Sequence, residues 1–513
     1  MTFKISSNVE SSIVSEFNIK NNGIQIVDSA NQIEIYNDPF RTVPLFVYSG
    51  KNNDLYIFSN FEEFYELEGV DKNIDEVGFW EIILFGGGLW TRTLYTYVKQ
   101  MPSATKIIID KGTSQYKIER YWDFNVIEDK SIDSLEKAAK GLYVILDNIF
   151  SSLNREDKYV MGMSGGMDSR ITLAFLSKYI PKEKVELFTY GFDERLLEYK
   201  YACEIAKALG YEKPEFHKLT AGSYRYALSY LPKMSGGQVG INHCHILDYL
   251  QTRDASGCRQ ISTYYSDAIF GWDSSYPKSV KNVAENFYIE AINDIDFLSE
   301  DIKEFIRNDS LNIFEGMDSG ANFSSLNEYK YVTERNQKFH MYMASIQDRY
   351  IGNEMIYADY DLLVYFLSVP LVYREQKRMI DYLFDHYFES VHSGKIRNIS
   401  SRVLRGGVNS FQWGGAATRL IGYYSFKLLN RVNAILRPIT KGRVQIFNKF
   451  QTEEQDRLLH KNFHEDLKGA TNKCVELGLM SNAQKREWDK LPLRSTGIGE
   501  RYAFIGLGKL LNL

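Results

Sequence analysis

Ser164-Gly165-Gly166-Met167-Asp168-Ser169 is the stretch that decides the fold. It follows the short apolar run Tyr159-Val160-Met161-Gly162-Met163 and precedes the helix-compatible segment Arg170 to Lys178. The glycines therefore fall at a strand-to-helix turn, where the first backbone N–H groups of the helix have no partner inside it. Gly165 and Gly166 are expected to take positive φ and to let the chain approach a ligand closely. The helix behind them offers the positive end of its dipole, which suits a phosphate. Ser164 and Ser169 add hydroxyl donors, and Asp168 adds a hard oxygen ligand of the kind that binds Mg²⁺ held by phosphates. The turn lacks both the Gly-Lys-Ser/Thr of a P-loop and the Gly-x-Gly-x-x-Gly of a dinucleotide fold. A ligand-free tight turn would explain the small polar residues, but not the strand and helix placed around them.

The hexapeptide resembles the pyrophosphate loop of the N-type ATP pyrophosphatases, which split ATP into AMP and pyrophosphate. Together with Arg170, Thr189-Tyr190-Gly191 and Glu198-Tyr199-Lys200-Tyr201-Ala202, it makes the chain similar to the synthetase domain of the asparagine synthetase family. The resemblance implies a parallel α/β sheet of the adenine nucleotide α-hydrolase type. It also implies ATP and Mg²⁺ as cofactors, with Met163, Ser164, Gly165, Gly166, Asp168, Ser169, Thr189, Tyr190 and Gly191 forming the nucleotide site. Adenine would lie against the strand ends at Val160 to Met163 and Thr189 to Gly191, as ligands do at the carboxyl edge of a parallel sheet.

The gross properties suit such an enzyme. A chain of 513 residues that is 44% hydrophobic and 25% charged can bury a large core, and the prior is roughly two to four domains. A net charge of −5 gives no global case for nucleic acid. Cys203, Cys244, Cys258 and Cys474 form no Cys-x-x-Cys pair, so thiols in a reducing cytoplasm are expected. Met1-Thr-Phe-Lys-Ile-Ser-Ser7 does not read as a signal peptide, and no apolar run approaches the ~20 residues that span a bilayer.

The first quarter reads differently from the rest. Gly23 to Val27, Gln32 to Tyr36, Pro44 to Tyr48 and Leu55 to Phe58 are short apolar runs separated by Asn, Asp, Gly and Lys, the hairpin pattern of an antiparallel sheet. Asp38-Pro-Phe-Arg-Thr-Val-Pro-Leu45 is similar to the Asp-Pro-x-Gly-x-x-Pro-Leu segment of the family's glutamine amidotransferase domain, and Leu84 to Leu94 and Arg120-Tyr-Trp-Asp123 resemble its last stretch. The resemblance implies an α/β (α+β overall) chain of two parts. Residues 1–125 would be a truncated, degenerate N-terminal-nucleophile glutaminase-like domain, β-rich and antiparallel. Residues 126–513 would be the synthetase domain, with a nucleotide-binding core at about 155–275 and a helical substrate part at about 276–513. In the family the glutaminase nucleophile is Cys at position 2; here that position is Thr2. Thr serves as a nucleophile in other hydrolases, but the segment before Asp38 is also too short for the glutamine pocket. Nitrogen would then come from free ammonia, or from an amine on another molecule or within the substrate.

The rest of the site is placed by the same resemblance. The family pattern Gly-x-Gly-x-Asp-Glu-x-Phe-Gly-Gly is nearest to Ser262-Thr-Tyr-Tyr-Ser-Asp267-Ala-Ile-Phe-Gly271, with its glycines replaced by Ser and Tyr and its Glu by Ala268. Asp267 would share Mg²⁺ with Asp168; the alternative read from the residues alone is a cap for a helix beginning at Ala268. A helical stretch from about Leu326 to Leu371 carries Glu334-Arg335 and Ala358-Asp359-Tyr360-Asp361-Leu362. It is followed by Pro370 and Tyr373-Arg374, and it resembles the region that lines the carboxylate pocket. Glu354 and Asp359 are its candidate substrate residues. Family members also use a Lys after the Tyr-Arg segment to stabilise developing charge. The candidates are Lys377, Lys395, Arg397, Arg402 and Arg405, with Lys395 favoured for the catalytic role.

From Ser390 to Thr452 there is no Asp or Glu, against eleven Lys or Arg. Such a basic amphipathic stretch suits an anionic substrate or a peripheral membrane contact, or else a helix packed on an acidic neighbour. The expected function is a cytoplasmic, AMP-forming carbon–nitrogen ligase that adenylates a carboxylate and forms an amide. Alternatives are a lactam-forming or macrocyclising enzyme of the β-lactam synthetase or lasso cyclase type, an ATP pyrophosphatase acting on tRNA bases or sulfur, and an impaired nucleotide-binding regulatory protein.

Overall fold

The computed structural model describes residues 3–51, 54–113, 115–194, 196–241, 244–253, 257–270, 298–314, 322–323, 326–388, 451–490 and 505–511. Its first part is built on alternation of side chains along short strands. Strands β1 (Phe3–Ile5), β5 (Phe46–Ser49), β6 (Leu55–Phe58) and β7 (Val98–Gln100) form a sheet in the order β1-β6-β5-β7. Strands β2 (Ile13–Val14), β3 (Ile24–Asp28), β4 (Gln32–Asn37), β8 (Thr105–Asp110) and β9 (Tyr116–Arg120) form a second, in the order β2-β3-β4-β8-β9. Val47, Leu55 and Ile57 from one sheet meet Ile24, Ile26, Ile35, Ile107 and Ile109 from the other in one buried cluster. The opposite face of the smaller sheet, Phe46, Tyr48, Tyr56 and Phe58, joins Phe61 and Phe64 of helix Phe61–Glu66 and Phe79 and Trp80 of helix Glu76–Phe85. Period-two burial thus gives β5 and β6 two cores, one against the second sheet and one against helices. Most pairings are antiparallel, as expected; β1–β6 and β2–β3 run parallel.

The second part carries a five-stranded sheet with every described pairing parallel. Strands β10 (Lys158–Gly162), β11 (Val185–Gly191), β12 (Glu215–Lys218), β13 (Cys258–Ile261) and β14 (Gly352–Glu354) lie in the order β12-β11-β10-β13-β14. Tyr159, Val160 and Met161 are fully buried, the continuous apolar run that a parallel strand covered on both faces requires. Helix Leu135–Ser151 packs against helices Met167–Tyr179, Tyr360–Ser368 and Arg378–His386 beside this sheet.

The stretch 326–371 is not continuous helix. It divides into helix Leu326–Lys330, a π-helix Tyr331–Met341, helix Tyr342–Gln347, strand β14 and helix Tyr360–Ser368. The strand runs so close to β13 that a Cβ on Gly352 would stand 3.2 Å from the Arg259 guanidinium. Pairing with the exposed edge of β13 has overridden local helical preference there.

One hydrophobic cluster runs through both parts, from Phe46 and Trp80 to Met161, Tyr265 and Phe366. Phe40 packs edge-on against Tyr265 at 5.0 Å, and Phe46 meets Tyr342 at 6.1 Å. All four cysteines are free thiols. Among the described residues, no helix is long and apolar enough to cross a membrane.

Candidate functional site

Strand β10 ends at the Ser164–Ser169 turn, and its end is pinned to β11 twice. The Met163 N–H donates to the Phe188 carbonyl at 2.7 Å, and the Thr189 hydroxyl donates to the Met163 carbonyl at 2.8 Å. The turn is stapled from within: Ser164 Oγ and Ser169 Oγ lie 3.0 Å apart, Ser169 Oγ donates to the Ser164 carbonyl at 3.0 Å, and the Gly166 N–H donates to Ser164 Oγ at 3.1 Å. Helix Met167–Tyr179 then starts with Gly166 at its N-cap and no side-chain cap. The expectation of positive φ fails at both glycines: neither Gly165 nor Gly166 takes positive φ, and Gly166 is extended at φ −71° and ψ 159°. Its need for glycine is spatial, since a Cβ would sit 3.1 Å from Ser164 Oγ.

Behind the turn, Arg170 is fully buried and donates to the Gly165 carbonyl at 3.2 Å, with its guanidinium 5.8 Å from the Phe384 ring centre. Burial pushes it down to about 10. Thr172 donates to the Asp168 carbonyl at 2.7 Å, and its hydroxyl also meets the buried Tyr357 hydroxyl. These contacts leave the first helical turn little freedom.

Asp168 points at Lys377. The amine donates to Asp168 Oδ1 at 2.8 Å and lies 3.7 Å from Asp267 Oδ1, bringing together three residues from widely separated segments. Asp267 does not cap a helix. The short helix Ser266–Ile269 has Tyr265 at its N-cap, which leaves the Asp267 carboxylate inside the first turn and aimed at the shared amine. Tyr331 donates to Asp267 Oδ2 at 3.5 Å. Tyr265 takes φ +73°, the left-handed region that favours glycine, at one of the tyrosines standing where the family pattern has glycine. Its ring is buried, and its hydroxyl donates to the Val332 carbonyl at 3.1 Å.

Lys377 also takes a left-handed backbone, φ +60°, at the N-cap of helix Arg378–His386. Three residues earlier, Arg374 is buried against Glu328, the Asn322 carbonyl and the Phe366 ring, so the Tyr373-Arg374 segment anchors the approach to Lys377. Lys395, Arg397, Arg402, Arg405 and most of the basic stretch 390–452 lie outside the described residues, as does Thr2. Lys377 is the candidate whose amine the described structure brings to the carboxylates.

The remaining residues expected to form a nucleotide site sit at neighbouring strand ends. Tyr190 stacks on His245 with ring centres 5.0 Å apart, and burial pushes the imidazole down to about 4. Gly191 ends β11, where a Cβ would clash with Leu196 at 2.7 Å. Glu354 and Asp359 go elsewhere. Glu354 pairs with Arg259 at 2.5 Å, Asp359 caps helix Tyr360–Ser368, and both line a cavity of about 370 Å³ shared with Asn22, Thr42, Ser152 and Asp348. Among the described residues, no basic side chain lines that cavity, and neither do residues 163–169, Asp267 or Lys377.

Asp168 and Asp267 fit the requirement of Mg²⁺, which takes one or two carboxylates and completes its octahedron with water and phosphate. Among the described residues, no group of three or more His, Cys, Asp or Glu side chains offers a cage for a metal by itself. No protein-family model matches the chain, and no curated protein does.

Proposed function

We propose that this chain is an ATP-dependent, AMP-forming ligase that adenylates a substrate carboxylate and passes the acyl group to nitrogen, in the manner of the asparagine synthetase family. The observation that carries the reading is the convergence of Asp168, Asp267 and Lys377 at the start of the helix that follows β10, beside a strand-to-helix turn stapled by its own serines. The phosphates of ATP would lie at the Ser164–Ser169 turn, where the helix dipole favours negative charge. Asp168 and Asp267 would hold Mg²⁺, which supplies charge neutralisation to the departing pyrophosphate.

The chain's own residues supply the rest. Lys377 is a compact cation aimed at the place where charge grows on phosphorus and on the acyl centre, the most effective kind of electrostatic assistance. Thr189 and Met163 hold the end of β10, and Arg170 braces the turn from behind. Ammonia or an amine is the nitrogen source this reading favours, because position 2 holds Thr rather than the family's Cys. A carboxylate substrate is less suited to the cavity of Glu354 and Asp359, whose described lining is acidic without a cation. It belongs nearer Lys377.

A second reading, a nucleotide-binding protein without turnover, draws on Ala268 standing where the family pattern has Glu. Pyrophosphate release screened over amino acids, uronic-acid sugars and peptides separates the two. Release that vanishes in Asp168→Ala supports the ligase; ATP binding with no release under any substrate supports the second reading. Unchanged release in Asp168→Ala would refute the mechanism.

A further inference from the structure

The π-helix Tyr331–Met341 touches both parts of the chain. At its start, the Tyr331 hydroxyl reaches Asp267 and the Val332 carbonyl accepts from Tyr265. Near its end, the His340 ring stacks on Tyr264 at 5.5 Å. Residues 264, 265 and 267 are therefore gripped from one element. A π-helix is rare and is frequently found at functional sites.

The other end of the grip lies in the N-terminal part. Lys338 is half-buried, its side chain 13% exposed, and donates to the Gly88 carbonyl at 2.9 Å and the Trp90 carbonyl at 2.8 Å, with Glu334 at 2.7 Å as its counter-ion. The receiving loop is itself held rigidly. The Gly88 N–H donates to Gln238 Oε1 at 2.7 Å, Gln100 Nε2 donates to the Gly88 carbonyl at 2.7 Å, and a Cβ on Gly88 would stand 2.1 Å from the Arg92 carbonyl. Trp90 sits at φ +47°. This is the Leu84 to Leu94 segment that resembles the end of an amidotransferase domain, and its chemistry here is to present carbonyls to an ammonium.

We infer that Lys338 is a positioning residue: by fixing the π-helix to the carbonyls of Gly88 and Trp90, it makes the N-terminal part a rigid support that sets where Asp267 stands relative to Asp168. The inference rests on the proposed role of the two carboxylates toward Mg²⁺ and ATP. It gives the N-terminal part a task that needs no glutaminase nucleophile. Indirect supports of metal ligands commonly weaken metal affinity by about ten- to hundredfold when removed.

The test uses the full-length chain. Lys338→Met alone strands Glu334 in the interior, so the double variant Lys338→Met/Glu334→Gln, which removes both charges at similar volume, is compared with wild type. Hydrogen exchange without ligand should rise in residues 331–341 and 262–270 while 158–169 keep the wild-type rate. ATP affinity measured calorimetrically in Mg²⁺ should fall about ten- to hundredfold, and affinity measured in EDTA should stay unchanged. Loosening of 331–341 without 262–270, uniform loosening that includes 158–169, or equal losses with and without Mg²⁺ would each overturn the inference. Should wild type bind ATP no better in Mg²⁺ than in EDTA, the nucleotide reading fails, while the exchange pattern still decides whether Lys338 clamps the Asp267 segment.

Discussion

Replacing Lys377 with Met should have opposite effects on the empty protein and on its response to Mg²⁺. The amine lies 2.8 Å from one carboxylate and 3.7 Å from the other, so the two nearest oxygens are separated by less than the sum of those lengths. Removing the amine takes away its attraction to each carboxylate, about 4–6 kcal/mol apiece at an effective dielectric of ~20, most of it offset by the ammonium no longer being desolvated. Asp168 and Asp267 keep 16% and 21% of their side-chain surface exposed, so water screens part of this, leaving about 1–2 kcal/mol. The ligand-free variant should therefore melt about 1–2 °C lower than wild type at neutral pH. Mg²⁺ without nucleotide should then stabilise the variant more than wild type, because it no longer competes with an ammonium for the same oxygens. Turnover should move the other way, with pyrophosphate release falling about a hundred- to a thousandfold through lost stabilisation of developing charge. Thermal melts over a Mg²⁺ titration check the first pair of outcomes without knowledge of the substrate. Identical Mg²⁺ responses in variant and wild type would show that Lys377 does not bridge the two carboxylates, and the site as described would fall.

Three further outcomes follow from the local geometry. Gly166→Ala keeps an allowed backbone but crowds Ser164 Oγ, so it should cost less than about 1 kcal/mol in a denaturant melt while sharply weakening ATP binding; unaltered ATP affinity would move the phosphates away from this turn. Tyr265→Phe loses only the hydrogen bond to Val332, about 1 kcal/mol, whereas Tyr265→Gly relieves a left-handed backbone but empties a buried aromatic site, a net loss of about 2–4 kcal/mol; equal melts for the two would contradict the packing on Phe40. His245, pushed down to about 4 by burial from an ordinary 6.5, stays neutral in the fold while the unfolded chain binds a proton between those values. Stability should thus be fully present above pH 6.5 and decline by up to about 1.4 kcal/mol per pH unit as pH falls toward 4. His245→Phe should flatten that part of the stability curve measured by urea unfolding.

The strand-to-helix turn was legible because its signals are local: an apolar run, two glycines, a helical pattern behind them. The same holds for β3, β4, β5 and β6, which fall where apolar runs alternate with turn residues. Their division between two sheets was not legible, because period-two patterning marks a strand's faces without naming its neighbour. Strand β14 was hidden for a related reason: three residues, Gly352 to Glu354, gain strand geometry only from the edge of β13. The π-helix has no pattern of its own, and Lys377 looked like one more surface cation. The one usable signal for Lys377 was its place just after Tyr373-Arg374, whose Arg is buried. Lys395, the residue favoured from the sequence, lies outside the described residues.

Backbone strain explains why this site needs so much of the protein around it. Tyr265 and Lys377, on either side of the acidic pair, both hold left-handed conformations that cost a non-glycine residue about 1–2 kcal/mol each. Neither local sequence favours that conformation, so the surroundings must impose it. For Tyr265 the constraint is the buried ring against Phe40 and the hydroxyl bound to Val332; for Lys377 it is Arg374, locked to Glu328 and the Asn322 carbonyl. Phe40 belongs to the N-terminal part and Val332 to the π-helix that Lys338 ties to that part. The conformation that aims Asp267 at Lys377 is therefore held from outside the parallel-sheet core. A chain cut near residue 125 would keep the Ser164–Ser169 turn, whose staples are all local, and would lose the geometry of Asp267. In such a fragment ATP binding in EDTA should survive better than the Mg²⁺-dependent gain, and loss of both to the same degree would mean that the turn, too, depends on the N-terminal part.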